Sequence, residues 1–212
     1  MYIPKAFEVT DTNILVQFIQ DHSFGILFSE TPQGPCASHL PFVIDQEAGE
    51  HGVLIGHMAK SNPQWRAIGH QDVLAVFPGP HALITSRWYG EDQVVPTWNY
   101  LAVHVYGTFI LIDSHDQLQQ IIRDTLAVYE PASPALSRLD EKFFEGLLGA
   151  IVGFKIIIKN IEGQWKLSQN HSRQRQRQVI DGLKATNDHH GHEIAQLMQS
   201  TLRAYHRLEE ST

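Results

Sequence analysis

WNYLAVHVYGTFILI, residues 98–112, is the stretch on which the fold class turns. It is dense in β-branched and aromatic residues, Val103, Val105, Tyr106, Thr108, Phe109, Ile110 and Ile112 among them, and these suit a pleated, half-buried surface. Gly107 stands mid-run, where a long strand can bend or bulge. Downstream, Asp116–Tyr129 and Asp140–Leu148 read as helices joined across a Pro131–Pro134 break, and Ile151–Ile158 reads as a second long strand. Upstream, compact apolar runs at Phe24–Phe28, Ala37–Ile44, Val53–Ile55, Val73–Phe77 and Ala82–Ile84 are separated by Gly, Pro, Asn and charged residues, the punctuation of antiparallel strands. Gly79-Pro80-His81 reads as a tight turn between the last two.

Ahead of these strands, Ile14, Leu15, Phe18 and Ile19 form the stripe of an amphipathic helix over Asn13–Asp21, with Asp11 or Thr12 as its cap. Many strands with helices inserted, and no regular strand-helix alternation, predict an α+β chain with a β-barrel core. After Trp165 the composition turns polar and helix-forming. Ser172–Lys184 and His192–Leu208 predict a helical appendage, interrupted by a turn over Asn187–Gly191. The expected organisation is a barrel domain over 1–170 and the appendage over 171–212.

Composition narrows the function. Hydrophobic residues make up 42% and charged residues 18% of the 212, ordinary for a folded globular chain. The net charge of −7 disfavours broad attraction to nucleic acid or acidic membrane surfaces. No leader-like segment and no run of about 20 apolar residues is visible, so a cytoplasmic protein without membrane spans is expected. Cys36 is the only cysteine, which excludes an internal disulfide and dithiol redox chemistry. Electron chemistry would need a cofactor.

Common enzyme signatures are missing: there is no G-x-G-x-x-G, no phosphate loop of the Walker type, no G-x-S-x-G and no H-E-x-x-H, since position 196 is Gln after His192-Glu193. Three polar segments stand out instead. Ser38-His39-Leu40-Pro41-Phe42 puts a hydroxyl, an imidazole and a proline inside a strand-like run, and proline belongs at an edge or interruption, where backbone groups are free to bond the rim of a flat ring. Gly56–Arg66 runs from a strand into a short helix, with Asn62 as cap and Pro63 as first helical residue. His57, Lys60, Ser61 and Arg66 near that helix start suit a phosphate, or equally a solvated turn. Val95–Tyr100 sets two aromatics around Asn99, suited to a ring ligand, a partner chain or a core.

In order along the chain, MYIPKAF (1–7), SHLPF (38–42), GHMAKSNPQW (56–65), GPHALITSRWY (79–89), VPTWNYLAVHVYG (95–107) and KLSQN (166–170) resemble the PaiB family of FMN-binding negative transcriptional regulators, within the FMN-binding split-barrel group. The resemblance implies an antiparallel Greek-key split barrel with inserted helices, and FMN at a homodimer interface. It implies that Ser38, His39 and Leu40 line the isoalloxazine, and that His57, Met58, Lys60, Asn62 and Trp65 serve the phosphate end. Trp98 and Asn99 would come from the partner chain, with Lys166 and Gln169 closing the site. A regulator would use the appendage, where Arg173 and Arg177 share a helix face, to meet DNA. The alternatives are an FMN-dependent oxidoreductase, in which His39, His81 or His104 would act as acid or base, and a haem-binding protein. His189, His190 and His192 could also gather a metal, although no metal site is expected.

Overall fold

Asp11 fixes where the first helix begins: its carboxylate accepts from the backbone N–H of Asn13 at 2.9 Å and of Ile14 at 3.4 Å, so α1 runs Thr12–Asp21. The structure is a computed structural model that describes residues 1–131 and 140–209, with the backbone alone for 141 and 204–209. Residues 132–134 of the expected Pro131–Pro134 break lie outside the described residues.

Seven strands form one sheet: β1 (Glu8–Val9), β2 (Phe24–Thr31), β3 (Gly34–Asp45), β4 (Val53–Ala59), β5 (Asp72–Ile84), β6 (Thr97–Ile112) and β7 (Ile151–Lys166). Their order is β1-β7-β4-β3-β2-β5-β6, and β7 also pairs with β6, so six of them close into a ring. Closure removes the exposed edges of an open sheet. β2, β3 and β4 follow one another as neighbours and β5 returns beside β2, the Greek-key order. The remaining helices are α2 (Gln64–Ile68), α3 (His115–Tyr129), α4 (Glu141–Gly149), α5 (Arg173–Lys184) and α6 (His189–Glu209).

Chain compactness divides the molecule into two units. One comprises Asp11–Phe77 with Val103–Glu162; the other comprises Met1–Thr10, Pro78–Ala102 and Gly163–Thr212. The first is built on four fully buried aromatic rings. Phe42 meets Phe77 edge-on at 5.4 Å and Phe154 at 6.0 Å, and Phe109 stacks on Phe154 at 5.0 Å. Along β6 the odd-numbered residues Val103, Val105, Gly107 and Phe109 point inward, as the two-residue period of a strand demands. In the second unit α5 lies against the short 3-10 turn Ser86–Trp88. Gly182 permits this, since a Cβ there would come within 2.4 Å of the Trp88 ring.

The predicted α+β barrel with inserted helices is the fold observed, with four local differences. Val73–Phe77 and Ala82–Ile84 belong to one strand, and Gly79-Pro80-His81 is strand, not a turn. Proline is tolerated there because pairing with β2 ends at Val76, so no donor is missed on that side. β7 continues to Lys166, eight residues past Ile158, where its end pairs with β1 at Gly163 and Gln164. His189 to Gly191 are the first turn of α6 and not part of a turn. Pro63 is the N-cap residue of α2, and the helix starts at Gln64.

Candidate functional site

β3 pairs with β2 along Gly34–Pro41 but with β4 only along Phe42–Asp45. The stretch that holds Ser38, His39 and Leu40 therefore has one side without β4, which agrees with the interruption that Pro41 signals. The chain leaving β4 covers it. Lys60 N–H bonds Ala150 O at 2.8 Å, the Asn62 side-chain amide donates to Ser38 Oγ at 2.8 Å, and Asn62 Oδ1 accepts from Gln64 N–H at 2.9 Å.

Gln64 then anchors α2. It is 1% exposed, and its NH2 group lies 3.1 Å from Leu27 O, 3.0 Å from Ser29 Oγ and 3.4 Å from Cys36 O, so two protons serve three acceptors on β2 and β3. Sequence reading passed over this residue because glutamine in a short helix is ordinarily solvated. Gln64→Leu is expected to cost about 1–3 kcal/mol in urea unfolding, the range for buried acceptors left without donors. A loss under about 0.3 kcal/mol would show that α2 is not held this way.

The other expected residues of this unit divide by strand alternation. Ser38 is half-buried and Leu40 buried on one face of β3, whereas His39 is exposed on the opposite face with its ring 6.3 Å from that of Phe24. The three side chains do not line one surface. Met58 is a core residue at 2% exposure. His57, its neighbour on β4, is half-buried, and its Nδ1 is buried without a hydrogen-bond partner among the described residues. Burial pushes its pKa down, which favours the neutral imidazole. Lys60 is exposed, and its carbonyl accepts from Trp65 Nε1 at 3.1 Å and Arg66 Nη2 at 3.5 Å. The Arg66 guanidinium sits 4.6 Å from the Trp65 ring.

The second unit contains Trp98, Asn99, Lys166 and Gln169, of which Asn99 and Lys166 line one cavity while Trp98 and Gln169 lie outside its wall. Asn99 is fully buried. Its amide nitrogen donates to Ser168 Oγ at 3.0 Å and Met198 Sδ at 3.5 Å, and the Ser168 hydroxyl lies 3.2 Å from Asn99 Oδ1, tying β6 to the loop after β7 and to α6. Gln169 closes that loop, donating to Trp165 O and accepting from Leu167 N–H at 2.7 Å. Lys166 Nζ bonds Thr97 Oγ1 at 2.6 Å. Trp98 is 52% exposed, its ring 6.0 Å from His81.

Tyr89, His171 and Arg175 line the same cavity, and Glu91 bonds Arg175. Arg175 is bidentate on Glu91, with Nε to Oε1 at 2.9 Å and Nη2 to Oε2 as the second contact, and its guanidinium lies 5.7 Å from the Tyr89 ring. The 84-residue separation of the pair left no local signal. Arg175 is thus engaged within the unit, while Arg173 and Arg177 are exposed on α5. His81 and His190 approach ring to ring at 4.7 Å. Among the described residues no group of three or more His, Cys, Asp or Glu is placed to hold a metal, and no helix is long and apolar enough to cross a membrane.

Solved structures that share this barrel define its class. A flavocytochrome from Azotobacter vinelandii superposes with a TM-score of 0.60 at 15% identity, over 77% of this chain and 72% of that one. An FAD- and haem-binding protein from Mycobacterium smegmatis superposes with a TM-score of 0.59 at 15% identity, over 75% and 73%. At these identities the likeness establishes the flavin split-barrel fold. Residues 1–160 match the family described as "Putative FMN-binding domain", and over 207 residues the chain is 39% identical to Protease synthase and sporulation protein PAI 2 of Bacillus subtilis, covering 96% of this chain and 99% of the relative. The chain belongs to this FMN-binding family, and the PaiB resemblance carried by the six motifs is borne out.

FMN is accordingly the cofactor, and the residues present fit it. His57 has a buried ring nitrogen without a partner among the described residues, Lys60 and Arg66 are exposed cations on one short segment, and Trp65 adds an aromatic face. Those are groups that a phosphate and a flat heteroaromatic ring require.

Proposed function

We propose that this chain works in the cytoplasm as a homodimeric, FMN-binding negative transcriptional regulator of the PaiB type, in which the flavin is ligand or redox sensor. The observation that carries the dimer is the outer row of the β2–β3 hairpin. Phe24 is 61% and Phe28 38% exposed, and Ala37, the register partner of Phe28, is exposed beside them. An apolar row of this kind on a barrel wall suits a second copy or a ring ligand as cover.

In this reading Lys60, with Arg66 beside it, holds the phosphate, and the His57 Nδ1 and the Asn62–Ser38 pair meet polar atoms of the ligand. Leu40 and Met58 pack behind them. Trp98 and Asn99 of the partner copy, with Lys166 and Gln169 closing the site, complete the enclosure. When bound, FMN supplies reversible one- and two-electron chemistry, and the protein sets its environment. The sole thiol, Cys36, adds no dithiol couple.

The regulator role is supported by the end-to-end likeness to PAI 2, which includes the α5–α6 region beyond residue 160. Arg177 of α5 and Arg203 of α6 line one groove and, with Arg173, would form the DNA-facing charge. Light scattering on the FMN-loaded protein should give twice the chain mass. DNA fragments selected from a random library should be retarded by the wild type, and retardation should vanish in the Arg173→Ala/Arg177→Ala variant. A monomer would overturn the dimer. Failure to enrich any sequence would overturn the regulator.

A further inference from the structure

The unit formed by Met1–Thr10, Pro78–Ala102 and Gly163–Thr212 contains a cavity of about 370 Å³, within the range of small-molecule sites. Its chemistry departs from that of the chain around it. The protein carries a net charge of −7, yet the cavity wall holds two cations, Lys166 and Arg175, and no Asp or Glu. The charge of Arg175 is answered by the bidentate Glu91. Among the described residues Lys166 has no ion-pair partner: its bond is to the Thr97 hydroxyl, and burial lowers its pKa. One positive charge is left for an anion. Burial, Arg175 and Lys166 lower the pKa of His171 against the opposing pull of Glu91, which favours its neutral form.

The rest of the wall mixes polar side chains, Tyr89, Gln93 and Asn170 among them, with apolar ones. Phe7, Val94 and Val95 offer hydrocarbon surface, while Asn99 and Ser168 bond each other and act as a fixed side. The backbone points to the same place. Gln93 at φ 61° and Ser168 at φ 64° are the non-glycine residues with left-handed backbone among the described residues, and both line this cavity. Such conformations persist where the surroundings hold them, and they gather at ligand sites.

We propose that this cavity binds a small organic monocarboxylate, with the carboxylate on the Lys166 ammonium and the apolar part against Val94, Val95 and Phe7. The site goes beyond the flavin reading, although Lys166 and Asn99 are common to both, so the two ligands are measured separately. Benzoate serves as probe and benzamide as its neutral control, in calorimetric titrations of the full chain with and without saturating FMN. Benzoate should bind once per chain, at least tenfold more tightly than benzamide. Lys166→Gln should abolish that preference. Glu91→Gln should strengthen benzoate binding about threefold or more by releasing the charge of Arg175, a gain that misfolding cannot mimic. Equal affinity for benzoate and benzamide, no gain in Glu91→Gln, or release of one FMN for each benzoate bound would overturn the proposal. Failure of FMN to bind with benzoate binding intact would overturn the flavin reading alone.

Discussion

Gly107→Ala is expected to destabilise the protein by about 3 kcal/mol or more, against about 5–15 kcal/mol for a typical domain. Gly107 lies on β6 with its Cα side facing the backbone of β7, and a Cβ there would stand 2.3 Å from the Ile157 carbonyl oxygen and 2.7 Å from Ile156 Cγ2. A carbonyl in a paired strand cannot rotate away as a side chain can. The barrel would have to open at the β6–β7 pairing that closes it, or the strands would have to separate by about an ångström or more, losing ladder hydrogen bonds. Urea unfolding followed by circular dichroism measures the effect as a fall in midpoint at unchanged slope. A loss below about 1 kcal/mol would mean that the two strands do not approach as closely as the structure shows.

Phe154→Ala should cost about 3–5 kcal/mol, the range for removing a buried aromatic ring. The upper half is expected because the ring is shared. Phe154 contacts Phe42 and Phe109, and its tip lies 2.7 Å from where a Gly56 Cβ would be, so it rests on bare backbone of β4. Strands already paired on both sides cannot collapse into the space, and no side chain at position 56 can fill it. Thermal and urea unfolding should both report the loss. A cost near 1 kcal/mol would show a core able to relax around the missing ring.

The residues that could be read correctly from sequence were those whose signal is local. Asp11 caps α1, the helix-forming stretch after Ser172 is α5, and the β-branched and aromatic run through Val103, Val105 and Phe109 is β6. Proline and glycine misled where pairing decided the outcome. Pro78-Gly79-Pro80 has the composition of a turn, and only the point at which β2 pairing stops explains why the strand runs through it. The same limit applies to His189-His190-Gly191, which starts a helix despite its turn-like glycine.

Site residues follow a similar division. The family motifs located Asn62, Lys60 and Trp65 on one short segment, but single-letter proximity concealed that His39 and Leu40 face opposite ways on β3. Gln64 on β2 and β3, and Arg175 on Glu91, depend on contacts 28 to 84 residues apart and carry no local pattern. Arg175, between Arg173 and Arg177 on α5, belongs to a cavity rim through that last pair.

Titration of the purified, folded protein with FMN, followed by flavin fluorescence, bears most directly on all of this. One FMN per chain should bind with quenching, denaturation should release it as free flavin, and Lys60→Ala should weaken binding at least tenfold. A folded wild-type protein that leaves flavin fluorescence unchanged at saturating FMN, and releases none on denaturation, would contradict the flavin site.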